Sequence, residues 1–135
     1  MFVHSTKIRV RYGETDQMGY MYYGNYAQFY EVGRMEMLRS LGLTYRAMEA
    51  SGIMMPVVEM STRYIKPVFY DEEITVKVTV NKMPGVRILF NYELYNEQDV
   101  LVNTAETLLI FVNMKTNRPC MAPQDFLEKI KPFFE

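Results

Sequence analysis

Hydrophobic and polar positions along the 135-residue chain change period several times. Residues 7–12 alternate, with Ile8, Val10 and Tyr12 on one side and Lys7, Arg9 and Arg11 on the other, the pattern of a half-buried strand. From Asn25 to Leu41 the spacing turns helical: Tyr26, Phe29, Tyr30, Gly33, Met37, Leu38 and Leu41 recur at three- and four-residue intervals. Asn25 stands in the place of an N-cap and Gly42 in that of a left-handed stop. Ala27, Val32 and Met35 widen the apolar surface, which predicts a helix covered on more than one side. Gly33 costs about 1 kcal/mol relative to Ala in a helix interior, so close packing against a neighbouring backbone is expected there. A shorter helix is predicted from Thr44 to about Ser51, stopped by Gly52.

The rest of the chain reads as strand. Val58, Met60, Thr62 and Tyr64 alternate with Glu59, Ser61 and Arg63, and the run ends at Lys66-Pro67. Ile74, Val76, Val78 and Val80 alternate with Thr75, Lys77 and Thr79, and Val86, Ile88, Phe90, Tyr92 and Leu94 form the next inner face. Residues 100–112 make a long apolar strand, and Pro123 opens a last amphipathic helix through Phe126, Leu127 and Ile130. The turns at Lys82–Gly85 and Asn96–Asp99 are short, which predicts an antiparallel meander. The economical packing is one α+β domain over residues 1–135, with a five-stranded antiparallel sheet against one long helix. Such a sheet has open edges, and pairing of copies at an edge is expected.

Composition closes several routes. With 15 Lys and Arg against 16 Asp and Glu the net charge is −1, which argues against a nucleic-acid binder. One Cys (Cys120) and one His (His4) rule out an intramolecular disulfide and a Cys/His zinc site. A nucleophile–histidine relay would have to use His4, in an N-terminal stretch expected to fray. No signal-peptide core and no membrane-spanning run is present, so a cytoplasmic protein without membrane contact is expected. If the chain is a hydrolase, its chemistry must rest on carboxylates, hydroxyls and backbone amides, and no metal or cofactor is expected.

The segment RYGETDQMGYMYYGNY (residues 11–26) is where such chemistry could sit. It joins a strand to the start of the longest helix, where unpaired N–H groups and the helix dipole favour developing negative charge. Glu14 and Asp16 lie just upstream, and Gly19 and Gly24 allow close approach of backbone to a ligand. A carboxylate facing an amide-lined oxyanion site is a minimal kit for acyl-transfer hydrolysis. The competing possibility is that Asp16 is an Asx turn or cap and the tyrosines at 20, 22, 23 and 26 are core or interface residues.

These residues, in order, resemble the signature of the hotdog-fold acyl-CoA thioesterases of the 4-hydroxybenzoyl-CoA thioesterase type. The likeness rests on Tyr12, Glu14, Asp16, Gly19, Met21-Tyr22, Asn25-Tyr26 and Tyr30-Glu31 with Arg34. Tyr64, Pro67, Asp71 and Glu72 continue it, and so does VNMKTNRP at 112–119. The resemblance implies a five-stranded sheet wrapped around a central helix, with an acyl-CoA substrate bound at a dimer interface. It implies that Asp16 attacks the thioester or activates water, and that the backbone amide at Tyr23 polarises the carbonyl. Many relatives carry His where Tyr23 stands, so an amide role survives here and an imidazole role does not.

Acyl-CoA brings phosphates, so cationic side chains should rim its site. Arg63, Lys66, Lys82, Arg87, Lys115 and Arg118 are the candidates, and Glu59 and Thr62 fall on strand positions able to line an acyl pocket. Met18, Met21, Met54, Met55 and Met60 are expected around the site, where flexible thioethers would accept varied acyl groups. Glu31 and Arg34, at i and i+3, are expected to pair on the helix face. An acyl-carrier-protein thioesterase, a dehydratase on the same fold and a non-catalytic acyl-CoA sensor are the alternatives. A homodimer or a dimer of dimers is the expected assembly.

Overall fold

The computed structural model describes residues 1–135, and its backbone follows the predicted periods with one rearrangement of order. The main elements are β1 (Phe2–Arg9), α1 (Tyr26–Ser40), α2 (Tyr45–Ala50), β2 (Ile53–Met54), β3 (Val57–Tyr64), β4 (Glu73–Val80), β5 (Arg87–Tyr95), β6 (Leu101–Ile110), β7 (Val112–Asn113), β8 (Arg118–Pro119) and α3 (Gln124–Ile130). Five strands form one antiparallel sheet in the order β1-β4-β5-β6-β3, and β2, β7 and β8 form a small second sheet. The sheet wraps α1 as expected.

The rearrangement concerns β3. A pure meander would place β3 beside β4, but β3 pairs with β6 at the far edge, and β1 fills the place beside β4. The chain therefore crosses from one side of the sheet to the other through residues 65–72. That crossover is anchored by Val68, which is fully buried, and it passes beside the loop that precedes α1.

The alternation of β4 is complete: Ile74, Val76, Val78 and Val80 are all fully buried against the helix. Gly33 faces two of them. A Cβ placed there would lie 2.8 Å from Val76 Cγ1 and 2.9 Å from Val78 Cγ2, so side chains of β4, rather than a neighbouring backbone, demand the glycine. The N-terminus is built into the sheet. The first strand begins at Phe2, five residues before the expected alternation, and every residue to Arg9 has a partner in β4. Phe2 packs edge-on against Phe133 at 4.5 Å, which fixes the chain end, while Tyr12 leaves the strand and lies exposed in a 3-10 turn. On β3 the expected inner face is only partly covered, since Val58, Met60 and Tyr64 remain about half exposed at this edge. The long strand expected over 100–112 ends at Ile110, and Val112 belongs to the small sheet.

Candidate active site

The loop between β1 and α1 is held by one buried carboxylate. After the 3-10 turn at Tyr12–Glu14, the Glu14 side chain accepts from the Arg11 backbone N–H at 2.7 Å and from Arg11 Nη2 at 3.2 Å. The Glu14 carbonyl accepts from the Tyr22 N–H at 2.8 Å and from Asn25 Nδ2 at 2.8 Å. Glu14 thus ties the entry of the loop to its exit. Between them the chain makes a miniature hairpin: Thr15 bridges Met21, and the Asp16 N–H donates to Tyr20 O at 3.0 Å. Gly19 closes the turn onto Asp16 O at 3.0 Å with φ of +86°, a conformation that side chains resist. Asp16 Oδ1 accepts from the Met18 N–H at 2.9 Å, while Oδ2 takes no donor from the chain. The Asx turn anticipated as a competing role is therefore present, and it occupies only one of the two oxygens.

Asn25 is not a cap. Its backbone is already helical (φ −88°, ψ −11°), because a 3-10 turn over Tyr23–Asn25 runs directly into α1. The 3-10 turn itself begins after Tyr22, whose side chain offers no oxygen to it. The Asn25 N–H reaches Tyr22 O at 3.0 Å, whereas the N–H groups of Tyr23 and Gly24 have no acceptor within the chain. These two free donors stand in the turn just ahead of the positive end of the 15-residue helix.

Asp16 and Tyr23 line one pocket of about 280 Å³ with Tyr20, Tyr26, Tyr64 and Lys66. The Tyr64 ring meets those of Tyr26 at 5.0 Å and Tyr23 at 6.4 Å, and its hydroxyl donates to Tyr23 O at 3.3 Å. Burial, aided by Tyr64 and Glu72, pushes the Tyr26 hydroxyl up to about 12. It forms part of the pocket wall, and Asp16 is the one carboxylate that lines the pocket. The Tyr22 and Tyr23 rings meet at a 45° tilt with centroids 4.6 Å apart, and a Cβ on Gly24 would lie 2.6 Å from Tyr22 Cε2.

The model of the thioesterase-like superfamily matches residues 10–130, which covers the loop, the helix and the whole meander. The chain belongs to this superfamily. It is a thioester hydrolase with the hotdog fold. It is 36% identical over 119 residues to a putative acyl-CoA thioesterase, YneP, of Bacillus subtilis, covering 88% of this chain and 86% of that one. It is 29% identical over 124 residues to the acyl-CoA thioester hydrolase YbgC of Escherichia coli, covering 92% of each. The solved structure of a DHNA-CoA thioesterase from Staphylococcus aureus superposes with a TM-score of 0.93 at 36% identity, covering 99% of this chain and 92% of that one.

Within this thioesterase, Lys66 is the one expected binding residue that shares the pocket of Asp16 and Tyr23. The Thr62 hydroxyl faces inward, 2.7 Å from the Tyr30 hydroxyl and 3.2 Å from Asn103 Nδ2, and belongs to a buried network under α1. Arg63 lies in a wide polar groove on the outer face of the sheet with Lys77 and Glu93. Glu59 borders a neighbouring groove with Leu89 and Glu106, and Arg87 stands exposed at the start of β5. Of the five methionines expected at the site, Met18 and Met21 line the pocket, while Met54 sits in β2 and Met55 in the core. Tyr64 and Tyr26 were legible as strand and helix positions and as parts of the family signature, but not as neighbours. Their convergence depends on β3 ending beside the start of α1.

Proposed function

We propose that the chain hydrolyses acyl-CoA thioesters, with Asp16 as the reacting carboxylate and the Tyr23 and Gly24 amides as the oxyanion site. The single observation that carries this reading is that Asp16, with one unencumbered carboxylate oxygen, shares a pocket with Tyr23, whose backbone amide and that of the adjoining Gly24 are unpartnered. Asp16 supplies the oxygen nucleophile, directly or through a water that it deprotonates. In the water route, hydroxide adds to the carbonyl carbon and the amides take the charge on oxygen. The tetrahedral species then expels the CoA thiolate, which recovers the proton from Asp16, and a free acid is left.

The pocket volume lies at the small end of the range for ligand sites, so it holds the acyl group and leaves the nucleotide outside. Its tyrosine walls favour planar apolar acyl groups, and the named DHNA-CoA thioesterase relative supports an aromatic acyl thioester. Lys66 at the rim is the cation placed to meet a CoA phosphate. A homodimer or dimer of dimers belongs to the same reading, supported by the open edges of β1 and β3. So does a cytoplasmic location: no helix is long and apolar enough to cross a membrane, and unpaired Cys120 suits a reducing compartment.

The test is thiol release from short, long and aromatic acyl-CoAs by the wild type and by Asp16→Asn. The variant should fold normally and lose roughly 10²- to 10⁴-fold in kcat. Wild-type rates in Asp16→Asn would overturn the assignment of Asp16. Tight binding with no release by the wild type would replace hydrolysis by the sensor alternative.

A further inference from the structure

The hydroxyl of Tyr64 makes a contact that a pocket wall does not need. It donates to Tyr23 O at 3.3 Å, an oxygen that already accepts from the Tyr26 N–H where the 3-10 turn runs into α1. Tyr64 is 48% exposed, so water alone would satisfy the hydroxyl without this bond. The oxygen belongs to the peptide unit whose N–H is that of Gly24, one of the two amides without an acceptor. The peptide is trans, which sets its carbonyl and its N–H on opposite sides of the unit. Two donors therefore pull on one end of this peptide, while the Gly24 N–H stands free at the other.

An amide whose carbonyl accepts hydrogen bonds is the stronger donor, because each bond at oxygen draws electron density from nitrogen and successive bonds reinforce one another. The two free amides differ in this respect. The Tyr23 N–H is backed by backbone alone, through Tyr22 O and the Asn25 N–H at 3.0 Å. The Gly24 N–H is backed by backbone and by a side chain from the edge strand β3.

The sheet fixes that side chain from both directions. Before it, the Arg63 carbonyl accepts from Asn103 Nδ2 at 2.9 Å; after it, the N–H groups of Ile65 and Lys66 share Val102 O at 2.9 and 3.1 Å. Asn103 is fully buried and lies opposite Tyr64 in the ladder of β3 with β6, and its Oδ1 accepts from the Tyr30 hydroxyl. The Tyr64 ring is held edge-on by Tyr26. The hydroxyl thus reaches Tyr23 O from a strand end and a ring that are already ordered, so little freedom is left to lose when the bond forms.

We propose that Tyr64 is a positioning residue for the oxyanion site: its hydroxyl holds and polarises the Tyr23–Gly24 peptide, so that the Gly24 N–H meets the charge developing on the thioester carbonyl oxygen. This rests on the reading of the Tyr23 and Gly24 amides as that site. The effect is largest where the oxygen carries charge, in the tetrahedral species and on the approach to it, and small in the bound thioester. It is therefore felt in kcat and not in KM.

Three forms of the full chain test it: the wild type, Tyr64→Phe, and a chain with a ring-fluorinated tyrosine at position 64, whose hydroxyl is the stronger donor. Each is read by thiol release from the best substrate of the acyl-CoA panel and by the NMR resonances of its backbone amides. Tyr64→Phe keeps the ring against Tyr26 and should fold as the wild type does. It should lose about three- to tenfold in kcat, the span of one modest hydrogen bond, with KM little changed. Its Gly24 amide resonance should move more than that of Tyr23. The fluorinated tyrosine should return kcat to the wild-type value or above it. A lower kcat with the Gly24 resonance unmoved, or a fluorinated chain as slow as Tyr64→Phe, would overturn the proposal. A rise in KM with kcat intact would overturn it as well, by making Tyr64 a wall of the acyl pocket and no more. Turnover lost in Asp16→Asn but intact in Tyr64→Phe would sink this inference alone, whereas a wild type without turnover would sink it together with the function proposed above.

Discussion

Replacing Gly33 by Ala sets two effects of opposite sign against each other. Helix propensity by itself predicts a gain of about 1 kcal/mol. The packing predicts a loss, because the new methyl would lie 2.8 Å from Val76 Cγ1 and 2.9 Å from Val78 Cγ2, where carbon contacts settle near 3.5–4.0 Å. Neither valine can yield. Both are fully buried, and β4 is held by ladders to β1 on one side and β5 on the other. The relief left is for α1 to lift by something under ~1 Å, and overpacking of this kind costs about 1–3 kcal/mol. The net loss is therefore up to about 2 kcal/mol, a fall in Tm of up to roughly 8 °C for a domain of this size. The lifted helix carries the Tyr23 and Gly24 amides with it, and a displacement near 1 Å lowers kcat by up to about 10²-fold. Thermal unfolding by circular dichroism and thiol release from an acyl-CoA read the two consequences. In a Val76→Ala background the same substitution should be less costly by about 1 kcal/mol, since one of its two clashes is gone. A higher Tm for Gly33→Ala with unchanged kcat would refute the reasoning.

Three further outcomes follow from the same geometry. Asn25→Ala removes the tie to Glu14 O; it should cost about 1 kcal/mol of stability and lower kcat at least tenfold, because the loop bearing Asp16 is no longer fixed to the helix start. An unchanged kcat would show that the tie is structural only. Lys66→Ala should raise KM and weaken its salt dependence while sparing kcat, checked by steady-state kinetics at two ionic strengths. Burial pushes the Tyr30 hydroxyl up to about 12, as it does that of Tyr26, against an ordinary value near 10. Between those values the unfolded chain has lost protons that the native chain keeps, so stability is full below about pH 10 and falls as pH rises toward 12. Urea unfolding at pH 9 and 11 checks this, and Tyr30→Phe should show a shallower decline than the wild type.

The periods of the chain determined much of this protein by themselves. Alternation at 74–80 and 86–94 and the three-to-four spacing at 26–41 are local consequences of strand and helix geometry, and they hold in the structure almost residue for residue. The irregular segment before the long helix was legible as the place for chemistry, since glycines, carboxylates and a helix start converge there in sequence. What the tertiary structure decided is everything set by partners distant along the chain. Alternation does not say which strand lies beside which, so the crossover that puts β3 beside β6, and with it Tyr64 and Lys66 beside Asp16, had no local signal. The identity of Asn25 suggested a side-chain cap, yet a 3-10 turn precedes the helix, the Asn25 side-chain amide turns to Glu14 O, and the amides of Tyr23 and Gly24 are left free. The spacing of Glu31 and Arg34 suggested a surface pair. The core drew Arg34 inward instead, where its Nη1 donates to the Tyr92 hydroxyl while Glu31 stays exposed.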